Sequence, residues 1–154
     1  MSYTKDLRWI TKSFTELTSN ELYQLLKLRS EVFVVEQNCA FQDLDFKDQP
    51  SFHFCGWKQE QLVAYTRLLP PGIAYENCSI GRVVTSPSVR RQGVGRLLMQ
   101  ASILKCQELF HSDSIEIGAQ LYLENFYESF QFKREGAIYL EDGIEHIHMR
   151  RSLF

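Results

Sequence analysis

Cysteine is scarce in this chain and badly placed for metal or disulfide chemistry. Cys39, Cys55, Cys78 and Cys106 fall without C-x-x-C spacing, so no thiolate zinc site and no disulfide framework is indicated. None has a neighbour in sequence that nominates it as an acyl-carrying nucleophile. Long apolar runs are missing too, and no window reaches the roughly 18 residues that a membrane-spanning helix needs. The opening MSYTKDLRWITK lacks the apolar centre of a signal peptide, so a cytoplasmic location without a membrane partner is expected. Neither sign of charge dominates: 17 basic residues stand against 19 acidic ones, a formal net charge of −2. No basic run extends beyond pairs such as Arg90–Arg91, which gives no footprint for nucleic acid. There is no linker, internal repeat or low-complexity segment. With 44% hydrophobic and 23% charged residues, the 154-residue chain is expected to fold as one globular domain over 1–154.

The richest stretch spans 79–110, SIGRVVTSPSVRRQGVGRLLMQASILKCQELF. Ile80, Val83, Val84 and Thr85 favour an extended chain, and Pro87 ends it by withholding a backbone donor. Val94, Leu97, Leu98, Ala101 and Leu104 recur at helical spacing, which predicts a helix over 93–110 with that stripe buried. Between them lies the turn Arg90-Arg91-Gln92-Gly93-Val94-Gly95. A helix start offers unpaired amides and partial positive charge, and glycines let an anion approach the backbone. Three arginines, Arg90, Arg91 and Arg96, flank it. The turn therefore reads either as a phosphate or pyrophosphate site or as a glycine turn among solvated arginines. It is not a Walker loop, because no Gly-Lys-Ser/Thr follows, and Leu98 stands at the third glycine of a dinucleotide fingerprint.

The flanking sequence supplies a mixed α/β pattern. Residues 7–14 predict a strand, and Thr18 with Glu21 behind it signals a helix start. Leu22, Leu25, Leu26, Arg29 and Phe33 mark one face of that helix. Arg29 is expected to pack its stem there and reach water with its head. A loop over 41–48 is acidic and aromatic; Glu36, Asp43 and Asp45 could draw a cationic amine or simply be solvated. Segments 51–58 and 61–69 predict a hairpin, and 114–118 a buried strand. A strand, a helix and a strand in succession favour parallel pairing of 79–85 with 114–118. A short helix over 122–129, a strand from Gln131, the turn Asp142–Gly143 and a last strand carrying Ile144, Ile147 and Met149 complete a mixed sheet with helices on both sides.

The run Arg90-x-x-Gly93-x-Gly95 resembles the coenzyme A motif of the GNAT family of N-acetyltransferases. Asn125-Phe126-Tyr127-Glu128-Ser129-Phe130-Gln131-Phe132 is similar to that family's second signature. LRSEVFVVEQ at 28–37 and EDGIEH at 141–146 resemble its ElaA branch. The resemblance implies an α+β, or α/β, three-layer fold. Its central sheet would be mixed and mostly antiparallel, with a parallel pair splayed at the acetyl-CoA cleft and helices on both faces. It also implies acetyl-CoA as cosubstrate, no metal, an amine acceptor attacked directly in a ternary complex, and a homodimer by family habit.

On that resemblance the cofactor residues are Val83, Val84, Thr85, Arg90, Arg91, Gln92, Gly93, Val94, Gly95, Arg96 and Asn125. A bulge near Val83–Val84 would give an amide to the acetyl carbonyl, and Asn125 would bond the pantetheine arm. The acceptor would meet Arg29, Phe33, Glu36 and Gln37. Tyr127 is the expected acid for the departing thiolate, since a phenol and an alkyl thiol have similar pKa values. His146 is the first candidate base, because imidazole titrates near neutral pH, followed by Glu36 and Glu116. Gln131 stands where the family has glycine, so the helix exit is expected to differ or to carry roughly 1 kcal/mol of strain. The competing reading is a CoA-binding sensor or interaction module without turnover; a third is a phosphate-binding domain unrelated to CoA.

Overall fold

The computed structural model describes residues 6–153. Its strands are β1 Leu7–Ser13, β2 Phe52–Lys58, β3 Gln61–Leu69, β4 Cys78–Thr85, β5 Ser114–Gln120, β6 Lys133–Glu141 and β7 Ile144–Ser152. They form one sheet in the order β1-β2-β3-β4-β5-β7-β6. Every neighbouring pair is antiparallel except β4 with β5, the parallel pair expected from the intervening helix. The helices are α1 Ser19–Arg29, α2 Val94–Leu109 and the short α3 Glu124–Glu128.

Local signals explain most boundaries. Thr18 caps α1 by accepting from the Glu21 amide at 3.1 Å, while Glu21 accepts from the Thr18 amide at 2.8 Å, a reciprocal capping box. Beyond Arg29 the helix does not stop. Ser30–Glu36 continues it as a wider π-turn, in which the Gln37 amide reaches the Val32 carbonyl at 3.1 Å. Asp142 and Gly143 both take positive φ, 50° and 76°, which suits a two-residue hairpin turn.

The sheet divides two apolar cores. On one face α2 and α3 pack through Leu98, Met99, Ile103 and Tyr127 onto Val63, Leu68, Ile80, Ile115, Ile117, Ile147 and Met149. On the other, Leu25, Leu28 and Val32 of the α1 rod cover Cys55, Trp57, Tyr65 and Val84. The buried side of α2 is rotated from the predicted stripe: Val94, Leu98, Met99, Ser102, Ile103 and Cys106 are buried. Leu97 and Leu104 are 37% and 56% exposed. Ser102, which a hydropathy stripe passes over, belongs inside because its hydroxyl bonds Thr66 Oγ1 at 2.7 Å in the core.

Candidate active site

The parallel ladder is short. It pairs Cys78 with Ile115 and Ser79 with Glu116, and beyond these β4 and β5 part. Along the same stretch β4 carries a bulge, because Tyr65 faces Val84 and Arg67 faces Gly81, which sets Arg82 and Val83 opposite Thr66 alone. The extra residue of a bulge lies outside the ladder, so a backbone amide there is open to another acceptor. The expected irregularity near Val83–Val84 is thus present, and its hinge is Arg82 with φ of +51°.

At the carboxyl end of β4 the chain turns through 90–93 into α2. Arg91 takes φ of 63°, and Gly93, the residue before the helix, takes 79°. Beyond its chain neighbours and the backbone of its own helix, a Cβ added at Gly95 would meet no atom of the described residues within 4 Å. Gly95 therefore satisfies no packing need of its own chain and keeps the first turn of α2 approachable from outside. Gln92 is half-buried in the turn, and its side-chain oxygen finds no hydrogen-bond partner among the described residues.

The arginines do not all surround the turn. Arg90 forks onto Glu36, with Nη2 at 3.0 Å from Oε2 and Nη1 on Oε1. Arg96 instead lies 4.6 Å over the Phe130 ring and donates to Ser129 Oγ at 3.0 Å. It lines a cavity of about 310 Å³ between α2 and the α3 exit, together with Gln100, Ile103, Leu104 and Gln131. Arg91 is exposed in the turn.

Tyr127 sits in α3, which follows the carboxyl end of β5. It is 6% exposed and packs edge-on against Phe126 and Phe132, at 5.2 and 6.0 Å between ring centroids. Burial, with a smaller contribution from Tyr122, pushes its phenol up to about 12, so it holds its proton throughout the neutral range. Asn125 is exposed on the same short helix. Gln131 keeps the left-handed exit that glycine would give, with φ of 71°. The departure from the family residue leaves the geometry intact, and the strain of roughly 1 kcal/mol is simply carried.

His146 is buried opposite Gln120 at the open end of β5. Its Nδ1–H donates to the Ile144 carbonyl at 2.7 Å, which leaves Nε2 as the reactive nitrogen, 3.4 Å from Glu141 Oε2. Gln120 donates to Gln37 Oε1 at 3.3 Å, so Gln37 reaches this end of the cleft. Phe33 is half-buried against the α1-side core.

The other two base candidates fare differently. Glu36 is engaged by Arg90, whose hydrogen bond holds its carboxyl below the ordinary range. Glu116 lies at the closed end of the parallel pair and accepts from the Asn77 amide at 3.1 Å and from Arg150 at 3.1 Å. Burial pushes its carboxyl up, but these donors outweigh burial and hold it low. Glu116, Glu135 and His148 present ligand atoms within 4.8 Å of one another, and the Arg150 guanidinium bridges the two carboxylates.

The expectations for Arg29 and the acidic loop are overturned. Arg29 is fully buried, with no head in water, and donates to Asp43 Oδ2 at 2.8 Å and Asp48 Oδ1 at 2.7 Å. It therefore makes no surface for a substrate. Arg67 donates to Asp45 at 2.8 and 2.9 Å and to Asp48 at 3.0 Å, and Arg82 to Asp43 at 2.7 Å. Three arginines thus neutralise three aspartates of a loop that was read as solvated or as an amine attractor. His53 closes the network: its Nε2–H donates to the Asp48 carbonyl at 2.9 Å, and Nδ1 accepts from Tyr65 at 2.7 Å. Sequence reasoning missed this role for His53, Arg67 and Arg82. Their only signal was charge on otherwise apolar strands.

A parted parallel pair, a bulged strand, a glycine turn opening a helix and a buried tyrosine thus stand together at one end of the sheet. The model of the acetyltransferase (GNAT) domain matches residues 17–153, and the chain belongs to that family of N-acetyltransferases. Within the family it is similar to protein ElaA of Escherichia coli, at 42% identity over 96% of this chain and 97% of that one. The crystal structure of ElaA superposes with a TM-score of 0.88 over 95% of this chain and 99% of that chain, at 41% identity. That of an acyl-CoA N-acyltransferase from Pseudomonas aeruginosa gives 0.89 over 94% and 99%, at 40% identity. A Bacillus subtilis acetyltransferase solved with CoA shares the fold, with a TM-score of 0.64 over 96% and 99% at 22% identity.

Proposed function

We propose that the chain moves an acetyl group from acetyl-CoA to a primary amine of a small molecule or peptide by direct attack in a ternary complex. The carrying observation is that the bulge, the glycine turn and α3 with Tyr127 all stand at the carboxyl end of the parted β4–β5 pair. Open sheets bind their ligands at that end. The turn over 90–96 takes the diphosphate, Asn125 the pantetheine arm, and the strand end at Val83, Val84 and Thr85 the thioester. The cavity beside Arg96 suits the nucleotide end. Family membership and the CoA held by the Bacillus subtilis relative support the same donor.

An alkyl ammonium with a pKa of about 10.4 must lose its proton before it can attack. His146 Nε2 receives that proton, directly or through water, while Phe33 and Gln37 bound the acceptor. The amine nitrogen then bonds to the thioester carbon, the oxygen leans on the bulge amide, and the carbon–sulfur bond breaks. The thiolate takes the Tyr127 proton and leaves as free CoA, and the second proton that the nitrogen sheds as the amide forms passes through water to restore Tyr127. The acidic loop gives no reason to favour a polycation as acceptor, because its carboxylates are already matched by arginines.

Calorimetry with CoA, followed by thiol release from acetyl-CoA over polyamines, aminosugars, amino acids and peptides, tests this reading. Binding and multiple turnover on any amine support it. Binding with no release on any acceptor favours a CoA sensor or interaction module, and absence of CoA binding overturns both.

A further inference from the structure

Arg82 occupies a backbone conformation that arginine adopts at a cost. With φ of +51° it lies in the left-handed region, where a side chain's Cβ crowds the following carbonyl oxygen. Such conformations persist where the surroundings over-determine them. Here the side chain supplies that restraint. Nε donates to Asp43 Oδ1 at 2.7 Å, Nη2 to the Asp43 carbonyl at 3.0 Å and to Asp45 Oδ2 at 3.3 Å. The guanidinium also stands 5.8 Å over the Phe41 ring. Its anchor is rigid in turn, because Asp43 is held by the fully buried Arg29 of α1 and Asp45 by the buried Arg67 of β3.

The restraint acts where the chemistry needs it. Arg82 is one of the two residues set against Thr66, so its torsion decides whether the strand bulges and where the amides of Val83 and Val84 stand relative to the gap between β4 and β5. We propose that Arg82 is a positioning residue for acyl transfer: its guanidinium, locked to Asp43 and Asp45, holds the bulge that presents a backbone amide to the thioester carbonyl. The inference rests on the acetyl-CoA reading above. It makes the loop over 41–48 a splint for the carbonyl site rather than a charged lure for the acceptor. Arg82 itself touches no reacting atom.

The test reads the carbonyl directly and needs no acceptor. Acetyl-CoA labelled with ¹³C at the carbonyl is bound to wild type, Arg82→Ala, Arg82→Gly and Arg82→Lys, and its stretching band is recorded by isotope-edited infrared spectroscopy. A hydrogen bond to the carbonyl lowers that frequency relative to free acetyl-CoA. The expected order is a full shift in wild type, little or none in Arg82→Ala, and substantial recovery in Arg82→Gly, since glycine takes positive φ without strain. Arg82→Lys keeps the charge but loses the fork and falls between. CoA affinity by calorimetry changes less than about threefold throughout, because the diphosphate turn is untouched. A loop tether with no role in the bulge predicts equal bands for alanine and glycine, and that result overturns the proposal, as does a full shift in Arg82→Ala. If Arg82→Ala fails to fold, the glycine–lysine comparison decides: glycine below lysine refutes. Wild type that does not bind acetyl-CoA overturns the underlying reading instead.

Discussion

Asp48 is the point where the buried ion network can be tested most sharply. Its side chain is 8% exposed and serves Arg29 and Arg67, themselves 0% and 4% exposed. Asp48→Asn keeps the shape and one acceptor oxygen but removes the charge, so three arginines then face two aspartates. Removing one partner of a buried pair costs about 3–5 kcal/mol. Arg29 retains Asp43 and Arg67 retains Asp45, so we expect the lower end, about 3 kcal/mol, or roughly 6–12 °C in Tm for a chain of this size. Urea unfolding followed by the fluorescence of Trp57, buried in the α1-side core, measures it. The loss should persist in 1 M NaCl, because buried pairs are little screened. Arg29→Met combined with Asp48→Asn restores the charge balance and should lose less than the sum of the single changes.

The pH dependence of the same pair follows from the aspartate. Burial pushes the Asp48 carboxyl up, but Arg29 and Arg67 prevail, and its folded pKa is depressed. Its contribution is then present above the unfolded value of about 3.9 and fades as pH falls through the folded value. The gap between wild type and Asp48→Asn should narrow below about pH 4. A loss under about 1 kcal/mol, or one that vanishes in high salt, would refute the network as a buried, mutually dependent unit.

Tyr127→Phe should lower turnover by about 10²–10⁴-fold with CoA affinity little changed, as lost acid catalysis predicts; near wild-type turnover on a saturating acceptor would leave Tyr127 as packing alone. Gly95→Glu should abolish CoA binding in calorimetry while Tm stays within a few degrees, since the added Cβ meets open space. Unchanged affinity would remove the diphosphate from this turn. Glu36→Gln frees Arg90 and should keep turnover within about threefold with CoA bound at least as tightly. A hundredfold loss in turnover with an altered acid limb would instead restore Glu36 as the base.

The strands were legible because their signals are local. Gln61–Leu69 is a mostly apolar run behind a short polar turn, buried at every position after Gln61, and the strand-helix-strand order dictated parallel pairing of β4 with β5. The glycine turn and the tyrosine helix were legible through short motifs of fixed spacing. The face of α2 was misread because a polar residue, Ser102, is satisfied inside while Leu97 and Leu104 remain outside. The ion network was invisible for a different reason. Its members lie 14 to 39 residues apart, and only the folded sheet brings Arg29, Arg67 and Arg82 onto one loop. The Glu36–Arg90 fork joins residues 54 apart, so a carboxylate proposed as a base and an arginine proposed for the cofactor turned out to hold each other.

The widened stretch Ser30–Glu36 governs which way that carboxylate looks. On a regular α-helix seven residues return to within about 20° of the starting direction, so Glu36 would stand nearly above Arg29, the most deeply enclosed side chain of the rod. The looser winding advances each residue by a smaller angle and swings Glu36 to the outside, 43% exposed and within reach of the turn that opens α2.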